Sequence, residues 1–151
     1  MGKMNVPRII LGGVVAGIIC FIGDGVVHGV LLKERWAMVM ASMGRKVTED
    51  PSHMVYYAAY DLAKALIGVW IYAAIRPRFG PGARTAVWAA LVTWALVIPI
   101  ALLGLIPSGF LGRRLPILWS IDGLVVMLIA IVVGAWLYRE EPGVAPAPAK
   151  A

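Results

Sequence analysis

Four long runs of apolar residues follow one another along the chain, and few charges interrupt them. The runs cover residues 9–32, 54–75, 85–106 and 116–137. Because a helix needs about 20 apolar residues to cross the hydrocarbon core of a bilayer, each run predicts one transmembrane helix. We therefore predict an all-α fold, an integral membrane four-helix bundle at 1–142, followed by a flexible Ala/Pro-rich tail at 143–151.

Composition and charge narrow the class of protein. Of the 151 residues, 61% are hydrophobic and 15% are charged, which is typical of an integral membrane protein. The net charge of +6 comes mainly from the loops, so we assign it to membrane anchoring and not to a nucleic-acid partner. Cys20 is the only cysteine, which excludes an intrachain disulfide. The first run is too long for a signal peptide and is interpreted as a retained helix.

The segment between the first two runs predicts an amphipathic helix that lies in the membrane interface. Apolar side chains recur in it at helical spacing, and basic side chains lie on the other face. The apolar set is Trp36, Val39, Met40, Met43 and Val47, and the basic set is Arg35, Arg45 and Lys46. The following "TEDPSH" predicts a helix start, with Asp50 as the N-cap and Pro51 at the first helical position.

The connection "RPRFGPGART" predicts a tight turn between the second and third helices. Its glycines and prolines end a helix, and its short length makes the flanking helices antiparallel neighbours. Lys and Arg residues are divided almost evenly between the two membrane faces. The turn at 76–85 is the densest basic cluster, so we expect it on the cytoplasmic side, and four spans then place the N- and C-termini on that side too.

Two segments near the ends of the second and fourth runs share the pattern G-x-W-x-Y followed by arginine, "GVWIYAAIR" and "GAWLYRE". The pattern indicates a duplicated 2+2 arrangement, although aromatic belts alone also place such residues at an interface. With "HGVLLKERW" and "WIYAAIRPRFGPGARTA", these segments resemble small, functionally uncharacterised four-helix membrane proteins of bacteria. The resemblance implies the fold, a bacterial inner (plasma) membrane location and acidic residues near Asp24 and Asp122, but no activity.

Five ionisable residues interrupt the apolar runs: Asp24, His28, Asp61, Lys64 and Asp122. Counted along the helices from the side of the long loop, the three aspartates share a depth of roughly 9 to 12 Å. An ion in hydrocarbon costs at least about 2.5 to 3.5 kcal/mol, so each group must pair, take up a proton or contact water. The lysine and the histidine neutralise at most two aspartates. We therefore expect one carboxyl to bind a proton or a cation.

Two functions remain open for this cluster. The first is a non-catalytic subunit of an oligomer or larger membrane complex, in which a buried polar layer fixes helix packing. The second is a small proton- or cation-coupled transporter or channel that uses the aspartates. We favour the first because one four-helix chain is small to enclose a pathway. The expected partners are then the lipid bilayer and either further copies of the chain or other membrane subunits.

Small residues predict close helix contacts, and aromatic and basic residues predict the membrane boundaries. The expected packing positions are Gly13, Gly17, Gly25, Gly29 and Gly68. The expected interface residues are Trp36, Trp70, Tyr72, Arg76, Arg78, Arg84, Trp136 and Tyr138.

Catalytic and metal-binding patterns are absent from the sequence. There is no glycine-rich phosphate loop and no serine or cysteine nucleophile beside a base. His28, His53 and Asp24 match no metal-binding motif, and His53 lies too near the membrane surface to ligate a haem. We therefore expect no enzyme activity, no metal and no cofactor.

Overall fold

The computed structural model describes residues 4–46 and 50–140. Within them, four helical stretches are long and apolar enough to cross a membrane: Val6–Leu31, Ser52–Phe79, Ala83–Ser108 and Arg114–Trp136. Each agrees with a predicted run to within about one helical turn. The described residues contain no β-strand. The prediction of an all-α chain with four candidate membrane spans is therefore confirmed.

Two of the four spans contain a local change of helix geometry. The first span ends in a π-helical turn at Val27–Leu31, and the third is broken where Pro99, which lacks a backbone N–H, starts a new helix. The helices are α1 (Val6–Val26), α2 (Lys33–Ser42), α3 (Ser52–Phe79), α4 (Ala83–Val97), α5 (Pro99–Leu105) and α6 (Arg114–Trp136).

The spans pack through small side chains. α1 contacts α3 and α6, α4 contacts the same two helices, and α3 also contacts α6. Alanines fill these contacts, which lets the helix backbones approach closely. The fully buried ones are Ala16, Ala65, Ala73, Ala86, Ala89, Ala90 and Ala130.

Three of the five predicted packing glycines lie where a neighbouring helix leaves no room for a side chain. A Cβ on Gly17 would lie 3.1 Å from the Cα of Leu62 in α3, Gly13 faces Leu66, and Gly68 faces Ile131.

Gly25 and Gly29 are different, because a Cβ on either would meet open space. The predicted packing role is therefore wrong for these two residues within the chain. Gly25 follows Asp24 and Gly29 follows His28, two residues that contact other helices. A step of one residue along a helix turns the side-chain direction by about 100°, so both glycines face outward.

α2 is shorter than the predicted amphipathic helix. It ends at Ser42, and Gly44 adopts a positive φ of 70°, so Met43 lies beyond the helix and is exposed. Val47 lies outside the described residues. The apolar face of α2 is covered by protein, since Val39 is buried in a cluster with Leu32, Ile98, Leu102, Leu111 and Leu115.

The two predicted helix boundaries around α3 are close to their expected positions. α3 starts at Ser52, one residue later than predicted, and the Asp50 carboxylate accepts a hydrogen bond from the Ser52 backbone N–H at 2.9 Å. This hydrogen bond lowers the pKa of the exposed Asp50 carboxyl. At the other end, Gly80 and Gly82 have φ values of 84° and 121° and form the turn into α4, which contacts α3 as predicted. The predicted tail at 143–151 lies outside the described residues.

Candidate functional site

Lys64 lies at the centre of a charged cluster between α1 and α3. Its side chain is 2% exposed, and its ammonium group contacts Asp24 Oδ2 and lies 2.7 Å from Asp61 Oδ1. The Asp61 side chain is 4% exposed. One buried cation is therefore shared by two carboxylates that belong to different helices. We call these three residues the lysine clamp.

Local geometry explains why the lysine clamp forms. Asp61 and Lys64 are three residues apart on α3, a spacing that places both side chains on one helix face. Asp24 reaches them from α1 because Gly17, two turns earlier, lets α1 approach the backbone of α3 at Leu62. The predicted packing position at Gly17 and the charges of the lysine clamp thus belong to one interface between α1 and α3.

His28 and Asp122 form the second part of the polar layer. His28 Nε2 lies 3.3 Å from Asp122 Oδ2 on α6. On the other side of the ring, His28 Nδ1 accepts a hydrogen bond from the Trp36 indole N–H at 3.0 Å. Nδ1 must therefore lack a proton, so a neutral His28 carries its proton on Nε2, the nitrogen that faces Asp122.

Trp36 reaches His28 because the chain bends between α1 and α2. In one continuous helix, residues eight apart would lie about 12 Å apart along the axis. The bend follows the π-helical turn and lies at Leu32, whose φ and ψ are −104° and 6°. Trp119 of α6 also packs against these two rings, and its ring centroid lies 5.5 Å from that of His28 and 5.6 Å from that of Trp36. The sequence predicted Trp36 at the membrane interface but did not predict its hydrogen bond to His28.

Carboxylates outnumber cations in the polar layer. With His28 neutral, Lys64 is the one cation for three aspartates. Asp24 Oδ1 and Asp122 Oδ2 are buried and have no hydrogen-bond partner within the part of the chain that the structure describes, although His28 Nε2 lies 3.3 Å from Asp122 Oδ2. Unpaired buried carboxylate oxygens are costly, and a proton on either group would remove that cost.

The two G-x-W-x-Y segments meet at the opposite end of the molecule. Trp70 and Trp136 are exposed on the outer surface, in agreement with an interface position. Tyr72 and Tyr138 are instead buried, and their rings pack edge to face with centroids 5.9 Å apart. The tyrosines therefore face each other and not lipid, because the repeated pattern turns one aromatic residue of each pair toward the other helix, and their level in the membrane stays a prediction.

The predicted interface arginines differ in their surroundings. Arg76 is half-buried, lies 3.0 Å from the Glu140 carboxylate and stacks over the ring of Tyr138. Arg78 and Arg84 are exposed, as the prediction requires.

The comparisons with known proteins add no relative. No family model, curated protein or solved structure matches this chain. Among the described residues, no group of three or more His, Cys, Asp or Glu is placed to hold a metal ion. Fold and site together define an all-helical chain with four helices able to span a membrane and a charged layer shared by α1, α3 and α6.

Proposed function

We propose that this protein is a non-catalytic subunit of a membrane oligomer or larger membrane complex, and that its polar layer fixes how the helices pack. In this proposal the four spans form a bundle in a bacterial inner membrane, with α2 in the interface and the termini in the cytoplasm. The observation that supports it most is the Lys64 ammonium group, which is buried and shared by carboxylates of α1 and α3.

The lysine clamp favours one register of α1 against α3. Sliding α1 by one residue along α3 would turn Asp24 away and leave a buried charge without its partner. An unpaired buried charge is much less favourable than a paired one, so alternative registers are disfavoured. Two surface grooves, of about 380 and 360 Å³, lie away from the layer, and none of the five layer residues lines either groove.

The oligomer is supported by the outer surface of α1. Gly25 and Gly29 are exposed and four residues apart, a spacing at which membrane helices of separate chains can approach closely. Leucine at both positions should convert the oligomer to a monomer in mild detergent, measured by light scattering of the purified protein.

Gly104→Leu is the matched control for this experiment, because Gly104 is also helical and exposed and a Cβ there also meets open space. It should keep the oligomer. A parent that is monomeric both in detergent and by cross-linking in the membrane would contradict the proposal.

A second candidate function, proton-coupled transport, is favoured by one specific observation. Asp24 Oδ1 and Asp122 Oδ2 are buried without a hydrogen-bond donor in the described residues, which makes them acceptors for a proton. In proteoliposomes with an internal pH dye, this function requires proton flux in the parent, its loss in Asp122→Asn, and its retention in the control Asp50→Asn outside the layer. A parent flux no greater than that of protein-free liposomes would leave the packing function as the better account.

A further inference from the structure

Three arginines line one groove at the end of the molecule that carries the long loop. The groove has a volume of about 380 Å³ and lies between α2, the loop at 109–113 and the start of α6. Arg35 comes from α2, Arg113 from the loop and Arg114 from the first position of α6. The rest of the lining is largely apolar: Met38, Val39, Phe110, Leu111 and Leu115.

The three arginines give the groove a positive charge. None of the three arginines forms an ion pair with a carboxylate of the described residues. α6 also begins here without a side-chain cap, so the partial positive charge of its first turn adds to that of the arginines. Like charges around one groove repel each other, and an anion between them would remove the repulsion. Guanidinium groups bind phosphate through paired hydrogen bonds.

The position of the groove indicates where such a phosphate would come from. The third span ends at Ser108 and the fourth begins at Arg114, so the loop between them lies at the depth of lipid headgroups when both helices cross a membrane. The apolar lining provides a surface for an acyl chain beside the arginines, which a free phosphate ion would not need. We propose that this groove binds the headgroup phosphate of an anionic phospholipid.

Native mass spectrometry of the purified full-length protein tests this site. The protein in detergent is titrated with phosphatidylglycerol and, separately, with phosphatidylcholine of the same chain length. The parent should bind one phosphatidylglycerol at least about tenfold more tightly than phosphatidylcholine. The triple variant Arg35→Gln, Arg113→Gln and Arg114→Gln should lose this preference.

A second triple variant is the matched control. Arg78→Gln, Arg84→Gln and Arg139→Gln remove three exposed arginines from the other end of the spans and change the net charge equally. The control should keep phosphatidylglycerol affinity within about twofold of the parent, because general attraction of basic residues to anionic lipid is the same for both variants. Equal losses in both triple variants would overturn the proposal.

Two further measurements separate the remaining explanations. Glycerol 3-phosphate added at the lipid concentration should not displace phosphatidylglycerol, and displacement would mean that the groove binds free phosphate and would overturn the lipid proposal. If the groove triple variant unfolds, Arg113→Gln alone removes one exposed side chain and should weaken phosphatidylglycerol binding at least about threefold. Unchanged binding by that folded variant would also overturn the proposal.

Discussion

Replacing Lys64 by methionine is expected to destabilise the protein more than any other single change in the polar layer. Methionine has a similar shape, but Asp24 and Asp61 would then face each other without a cation in a medium of low dielectric constant. Removing one partner of a buried ion pair costs about 3 to 5 kcal/mol. The Asp24 side chain is 18% exposed, so contact with water or uptake of a proton can partly stabilise it after the cation is lost. The expected loss in the free energy of unfolding is therefore near the lower end of that range, about 3 kcal/mol.

Companion variants distinguish charge pairing from simple packing. Asp61→Asn should cost less than Lys64→Met, because Lys64 keeps Asp24 as its partner. Lys64→Met with Asp61→Asn still leaves Asp24 without a cation. Adding Asp24→Asn removes every charge of the lysine clamp, so the triple variant should recover most of the loss, as neutral replacements of buried ion pairs often do.

The measurement is the free energy of unfolding of these four variants, of Asp24→Asn alone and of the parent in one mixed-micelle system, followed by circular dichroism. Lys46→Met is the control, because Lys46 is exposed and lies outside the layer. The triple variant should be more stable than the sum of the single changes predicts by at least about 1 kcal/mol. If the stability losses of the single variants sum to the loss of the triple variant within about 0.5 kcal/mol, the three residues do not act as a lysine clamp.

Three other predictions concern packing, topology and pH. Gly17→Leu should lower the melting temperature because it forces α1 away from α3, whereas Gly104→Leu should leave that temperature unchanged; equal effects would mean that Gly17 is not at a close helix contact. In a cysteine-free background, a membrane-impermeant thiol reagent outside intact cells should label a cysteine at Lys46 but miss one at Phe79, and the reverse pattern would invert the topology. The pKa of Asp50 is lowered by the N–H group that it accepts at the start of α3, so its stabilisation of that helix start is present at neutral pH and disappears as the pH falls through the lowered pKa; an NMR titration that finds the ordinary pKa would disprove the bond.

The charges of the polar layer could be placed by counting along the sequence. Depth depends only on the helical rise, so the position of each residue along its helix predicted that Asp24, Asp61 and Asp122 lie in one layer. The close contact at Gly17 followed from residue size alone. Such predictions succeed where each helix is regular and the neighbouring helix is the next span along the chain.

The remaining features depend on departures from regular helices. Trp36 reaches His28 only because the chain turns at Leu32 after a π-helical segment, and no local pattern encodes that direction. The inward position of Tyr72 and Tyr138 depends on which helix faces which, because an isolated aromatic residue near a membrane boundary is equally compatible with lipid and with protein. In both cases contacts between different helices, and not the local sequence, set the position of the side chain.

The lysine clamp has a consequence for biogenesis. α3 is the least apolar of the four spans, and it is the span that carries both Asp61 and Lys64. A nascent α3 alone would have to bring both charges into hydrocarbon, whereas an α1 that has already entered the membrane offers the Asp24 carboxylate to the lysine. The first half of the chain should therefore insert as a helical hairpin. Asp24→Ala should then increase the fraction of newly made chains in which α3 fails to integrate at the translocon.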